Sequence, residues 1–99
     1  MNITKSVEGS VMKVSVSGRL DTATAPQLES ELKDSLDGIK ELVLEIPELD
    51  YISSAGLRVF LSALKAMKAK NGTMRVTGAS EMVREIFDVT GFSEIMTLE

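Results

Sequence analysis

The stretch Asp50-Tyr51-Ile52-Ser53-Ser54-Ala55-Gly56-Leu57 holds the residues best placed for chemistry. The apolar run Leu42-Val43-Leu44 and Ile46 lies before it, and an amphipathic helical pattern begins just after it. Ser54 is therefore expected at the start of a helix with its hydroxyl facing solvent. A hydroxyl in that setting can accept a phosphoryl group, which brings about two negative charges. A helix start tolerates such charge, because its first N–H groups lack intrahelical partners and the dipole is positive there. Modification at Ser54 would change what the surface binds without unfolding the domain. The plainer reading makes Ser54 an N-cap, a position that favours serine and where its loss costs about 1 kcal/mol. The two readings are compatible, because a phosphate accepts the same N–H donors.

What the chain lacks restricts other chemistry. It has no Cys and no His. Disulfides, thiol chemistry, Cys/His zinc sites and Ser-His-Asp or Cys-His nucleophiles are excluded. There is no G-x-S-x-G elbow and no G-x-x-x-x-G-K-[ST] phosphate loop. No acidic pair stands out as a catalytic dyad. The expectation is no catalytic residue, no metal ligand and no cofactor. The net charge is −4, and the Lys and Arg residues are scattered. That balance argues against direct nucleic-acid binding and against docking on an anionic membrane. The start, Met1-Asn2-Ile3-Thr4-Lys5, lacks the apolar core of a signal peptide. No apolar run approaches the roughly 20 residues of a spanning helix. A cytoplasmic protein without membrane insertion is expected.

The elements that must position Ser54 follow from periodicity. A chain of 99 residues, 43% hydrophobic, suits one domain with a small core of Leu, Val, Ile, Ala and Met. Ile3 to Val7 reads as a short strand and Glu8-Gly9-Ser10 as a turn. Met12, Val14 and Val16 alternate with Lys13, Ser15 and Ser17, which is a half-exposed strand ending at Gly18. Thr24 and Gln27 form a candidate capping box for a helix with Ala25, Leu28, Leu32 and Leu36 on one stripe and Gly38 as its stop. Its outer face carries Glu29, Glu31, Asp34 and Asp37, which reads as a solvated face. Leu42-Val43-Leu44 reads as a strand buried on both faces, with Pro47 ending it. Asp50 and Tyr51 then fall in a connection. The next helix is expected over about 54–70, burying Leu57, Phe60, Leu61, Leu64 and Met67, with Asn71-Gly72 as the stop. Met74 and Val76 mark another strand. Ser80 caps a third helix with Val83, Ile86 and Phe87 inward, Gly91 ends it, and Ile95 to Leu98 adds a last strand. Most methionines fall on apolar stripes and read as core filling. The order β-β-α-β-α-β-α-(β) predicts an α/β domain, a mixed sheet packed with three main helices.

Three segments resemble the STAS-domain anti-sigma factor antagonists of bacteria. They are Gly18-Arg19-Leu20-Asp21, then Leu42-Val43-Leu44 with Leu49 to Leu57, then Val83-Arg84-Glu85-Ile86-Phe87-Asp88-Val89-Thr90-Gly91-Phe92. The middle segment is the most specific. The resemblance implies one STAS domain over residues 1–99 and a partner-switching cycle. In that cycle the unphosphorylated antagonist binds an anti-sigma factor serine kinase and frees a sigma factor. The kinase phosphorylates the antagonist, which lets go, and a serine phosphatase resets it. The family's phosphoserine lies two residues before the Gly-Leu pair, which maps to Ser54. Ser53 stands where many members carry Asp, and it becomes a secondary candidate acceptor. The same fold as a non-catalytic regulatory subunit of a stress-sensing or transporter-associated complex is the alternative.

The resemblance also places Asp21, Ser53, Ala55, Gly56 and Arg58 on the partner-binding surface. Each has a plainer role beside it. Asp21 suits a turn that ends a strand. Gly56, about 1 kcal/mol worse than Ala in a helix, suits close approach by a partner, another backbone or the sheet. Arg58 suits simple solvation.

Overall fold

The computed structural model describes residues 1–99. Strand β1 (Asn2–Glu8) and strand β2 (Val11–Leu20) form an antiparallel hairpin around Gly9 and Ser10. Met12, Val14 and Val16 of β2 are buried, as the period-two pattern requires. Helix α1 (Ala25–Lys33) buries Ala25, Leu28 and Leu32. It stops well before Gly38. The Ser35 hydroxyl donates to the Glu31 carbonyl at 2.7 Å, a local bond that competes with helix continuation. Leu36 is still buried, beyond the helix rather than on it.

Strand β3 (Glu41–Glu45) runs parallel between β2 and β5 (Thr73–Thr77). Helix α2 (Ser54–Ala69) buries Leu57, Phe60, Leu64 and Met67 as expected, together with Gly56, Val59 and Ala63. Leu61 is only half-buried. Helix α3 (Glu81–Thr90) is capped by the Ser80 hydroxyl, which accepts from Val83 N–H at 3.2 Å. Gly91 ends it with φ +81°, the left-handed conformation that suits glycine. A short 3-10 turn (Phe92–Glu94) leads to β6 (Thr97–Leu98). Among the methionines, Met12, Met67, Met74 and Met96 fill the core, whereas Met82 is exposed.

Asp50 and Tyr51, expected in a connection, instead belong to a further parallel strand, β4 (Leu49–Ile52), beside β2. The six-stranded mixed sheet has the order β1-β2-β3-β5-β6, with β4 paired to β2 off that path. Besides its antiparallel partner β1, strand β2 therefore serves two parallel partners in turn. Residues 11–15 pair with β3, and the pairing from Gly18 onward is with β4. Gly18, expected to end the strand, instead carries a register shift within it. Its φ of +91° lets the strand bend there without a Cβ penalty.

One apolar cluster joins the inward residues of β2, β3 and β5 to all three helices. The helices thus cover one face of the sheet. The opposite face is polar, apart from Val43, which lies between Lys13 and Arg75 in register and is buried. Arg75 there bridges Glu41 at 3.0 Å and Glu99 at 2.8 Å. These two carboxylates raise its pKa, that of Glu99 most.

Candidate functional site

The end of β4 and the start of α2 are fixed by one backbone bond. Ser53 N–H donates to the Leu20 carbonyl at 2.8 Å, tying the helix start to the last residue of β2. Ser53 has extended geometry (φ −93°, ψ 175°) and is the N-cap. Its hydroxyl accepts from Gly56 N–H at 3.4 Å, a long bond. Its carbonyl accepts from Leu57 N–H at 2.9 Å. Ser54 is therefore the first helical residue, not the cap, and its side chain is exposed. The sequence places two serines at this corner, and the fold gives them different work. Ser53 is half-buried and engaged with the helix, whereas Ser54 faces outward.

Asp21 follows directly on β2. Its Oδ1 accepts from Ala23 N–H at 3.0 Å and from Thr24 N–H at 3.1 Å. These bonds make it the turn-forming residue at the head of α1. The capping box expected of Thr24 and Gln27 is absent, and the Thr24 side chain makes no cap bond to the helix. The Thr24 hydroxyl instead donates to the Arg19 carbonyl at 2.8 Å and accepts from Asp21 N–H at 2.8 Å. The Thr24 backbone N–H is the largest cause holding the Asp21 carboxyl below its ordinary pKa. The Thr24 hydroxyl, the Ala23 N–H and the Arg19 charge act in the same direction, against some desolvation.

Sequence reasoning missed Arg19 and Tyr51 as parts of this site. They are cross-strand partners in the β2–β4 pair. The Arg19 guanidinium lies 4.6 Å from the Tyr51 ring centroid, and its Nε is 3.7 Å from Asp21 Oδ2. The register that joins them is hidden until β4 is recognised as a strand.

Of the other expected docking residues, Ala55 is half-buried and Arg58 is exposed. Both line a shallow hollow shared with Thr22, Pro26 and Glu29. The β2–α1 connection thereby meets the first turns of α2. Gly56 is buried and faces inward, so it offers no surface to a partner. A Cβ there would stand 2.7 Å from Leu20 Cγ and 2.9 Å from Ile52 Cγ1. Glycine is needed for helix α2 to lie close against β2 and β4, which is the plainer of its expected roles.

No three of the acidic side chains come close enough to hold a metal ion. A hollow of about 360 Å³ between α1 and α2 is lined mainly by Leu32, Leu36, Val59, Ala63 and Ala66. Ser62 also borders it and makes no side-chain hydrogen bond to the neighbouring Glu29 or Lys33. No helix is long and apolar enough to cross a membrane.

Residues 2–99 match the family model for the STAS domain. A Bordetella bronchiseptica protein named as an anti-sigma factor antagonist, BtrV, is 42% identical over 79 residues, covering 79% of this chain and 68% of the relative. The anti-sigma-B factor antagonist of Staphylococcus aureus is 29% identical over 97 residues, covering 97% and 90%. Among solved structures, the unphosphorylated anti-sigma factor antagonist SpoIIAA superposes with a TM-score of 0.86 at 17% identity, over 99% of this chain and 88% of that one. The phosphorylated form of the Bacillus SpoIIAA gives 0.78 at 16% identity, over 99% and 91%. Those structures speak to fold, and the sequence matches speak to kinship: the chain belongs to the STAS domain family, among the anti-sigma factor antagonists.

Proposed function

We propose that the unphosphorylated chain binds an anti-sigma factor through the surface around Ser54, and so releases a sigma factor. The anti-sigma factor acts as a serine kinase on Ser54, the modified chain dissociates, and a serine phosphatase restores it. In this reading the chain catalyses nothing. The kinase supplies the nucleotide and the chemistry, and the chain supplies a hydroxyl and a docking surface.

The observation that carries this reading is the division between the two serines. The Ser53 oxygen is engaged with the Gly56 N–H, whereas Ser54 stands exposed at the first helical position. The flanking surface fits a partner: Asp21 stays ionised, Arg19 is braced on Tyr51, and Ala55 and Arg58 border a hollow. A phosphate added at this position places about two charges where a partner packs. A change of about 1.4 kcal/mol alters affinity tenfold, so a modest loss of fit separates the two proteins.

The test is incubation with a cognate histidine-kinase-like anti-sigma factor and ATP, followed by peptide mapping. Phosphate on Ser54 is the expected result. Phosphate confined to Ser53 would reassign the site. Recovery of a transport or stress-sensing assembly, with no kinase among the bound proteins, would replace this reading with that of a regulatory subunit.

A further inference from the structure

We propose that Arg58 is the internal counter-ion of a phosphate on Ser54, and that modification draws its guanidinium off the docking surface. The inference rests on the reading of Ser54 as the modified residue. Ser54 opens helix α2, and Arg58 stands one turn further along it. Residues four apart on a helix share a face, with Cβ atoms about 5–6 Å apart. Both side chains are exposed. Ser53 precedes the helix and turns its oxygen to the Gly56 N–H. The pairing therefore singles out Ser54.

Arg58 is also the unengaged cation of this surface. Arg19 is held by the Tyr51 ring and by Asp21. Arg58 makes neither an ion pair nor a side-chain hydrogen bond. The charged group that shares its hollow is Glu29 on α1. Glu29 carries one negative charge and lies outside ion-pairing distance. A phosphoserine carries about two, with three acceptor oxygens that a planar guanidinium can grip in pairs.

Release then has two parts. The phosphate adds negative charge, and the same event withdraws a positive group that the unmodified face offers to its partner. An acidic patch on the partner, opposite Arg58, is the chemistry this predicts.

The experiment uses the full chain with phosphoserine installed at position 54 by genetic encoding, so that no kinase is needed. The second ionisation of the phosphate is followed by phosphorus NMR across pH. The expected result is a pKa about 0.2–0.4 unit lower in the parent chain than in Arg58→Gln. Arg58→Lys should recover part of the shift, whereas Arg19→Gln and Glu29→Gln should leave most of it. Equal titrations in the parent chain and Arg58→Gln would overturn the proposal. A shift abolished by Arg19→Gln and kept in Arg58→Gln would do the same, assigning the phosphate to Arg19. A kinase that leaves Ser54 unmodified would count against the functional reading alone, since this titration does not depend on it.

Discussion

Arg19 and Tyr51 face each other across the β2–β4 pair, with the guanidinium carbon 4.6 Å from the ring centroid. The stack holds a cation beside the corner where Ser53 and Ser54 begin the helix. It joins the segment before α1 to the segment before α2, which are far apart in sequence. Of the expected docking residues, Asp21 comes from the first of these segments and Ser53 from the second, while Ala55, Gly56 and Arg58 lie in the opening turns of α2.

A double-mutant cycle measures that stack. Arg19→Leu and Tyr51→Leu should each destabilise the domain, with a coupling of about 0.5–1 kcal/mol by urea denaturation. Additive effects would show that the stack contributes nothing in solution.

Gly56→Ala sets two terms against each other. Alanine favours a helix by about 1 kcal/mol over glycine. The new methyl would meet Leu20 Cγ at 2.7 Å and Ile52 Cγ1 at 2.9 Å, and overpacking costs about 1–3 kcal/mol. Packing should win, and the midpoint of denaturation should fall. A more stable Gly56→Ala protein would mean that α2 shifts freely on the sheet.

The two serines should separate by stability. Ser53→Ala removes the cap, and the 3.4 Å bond places the loss near 0.5 kcal/mol, the low end of the cap range. Ser54→Ala should stay within about 0.5 kcal/mol of the parent, as exposed substitutions usually do. The reverse ranking in a denaturant series would move the cap to Ser54.

Binding should separate them in the other sense. Ser54→Ala should hold the anti-sigma factor in the presence of ATP, whereas Ser54→Asp should bind at least about tenfold more weakly, a loss of roughly 1.4 kcal/mol. Titration calorimetry with the purified partner reads both. Equal affinities would remove charge as the cause of release.

Asp21 gives a pH signature. Its folded pKa lies below the ordinary 3.8, mainly through the Thr24 N–H bond. A carboxyl with a depressed folded pKa stabilises the fold above its unfolded pKa and loses that contribution as pH falls through the folded value. Asp21→Asn should therefore melt below the parent at neutral pH, and the gap should close as pH drops beneath about 3.8. A gap that is constant down to pH 2 would show that the carboxylate charge is irrelevant to the turn.

The sequence reveals the parts of this fold that repeat a pattern. Met12, Val14 and Val16 announce β2, and Leu57, Phe60, Leu64 and Met67 announce α2, because each set recurs at the period of its element. Strand β4 escapes because it has only four residues, follows Pro47 closely and includes an exposed Asp50. Its existence depends on β2 continuing past Gly18, a tertiary fact. The Thr24 box fails for a related reason: the hydroxyl that sequence reasoning assigns to α1 is taken by the backbone of Arg19 and Asp21. Ser53 and Ser54 differ by one position, finer than periodicity resolves at a helix end. Family resemblance points to Ser54, and the hydrogen bonds explain why its neighbour is the one held inward.

Because β2 divides its parallel pairing between two neighbours, the sheet forks at Gly18. One branch, through β3 and β5, lies at the heart of the sheet. The other is β4 alone, bound to β2 on one side and leading straight into Ser53 and Ser54. Exchanges at Asp50 and Tyr51, the outward positions of the short branch, can therefore vary this corner while Leu49 and Ile52 keep it anchored in the shared hydrophobic cluster.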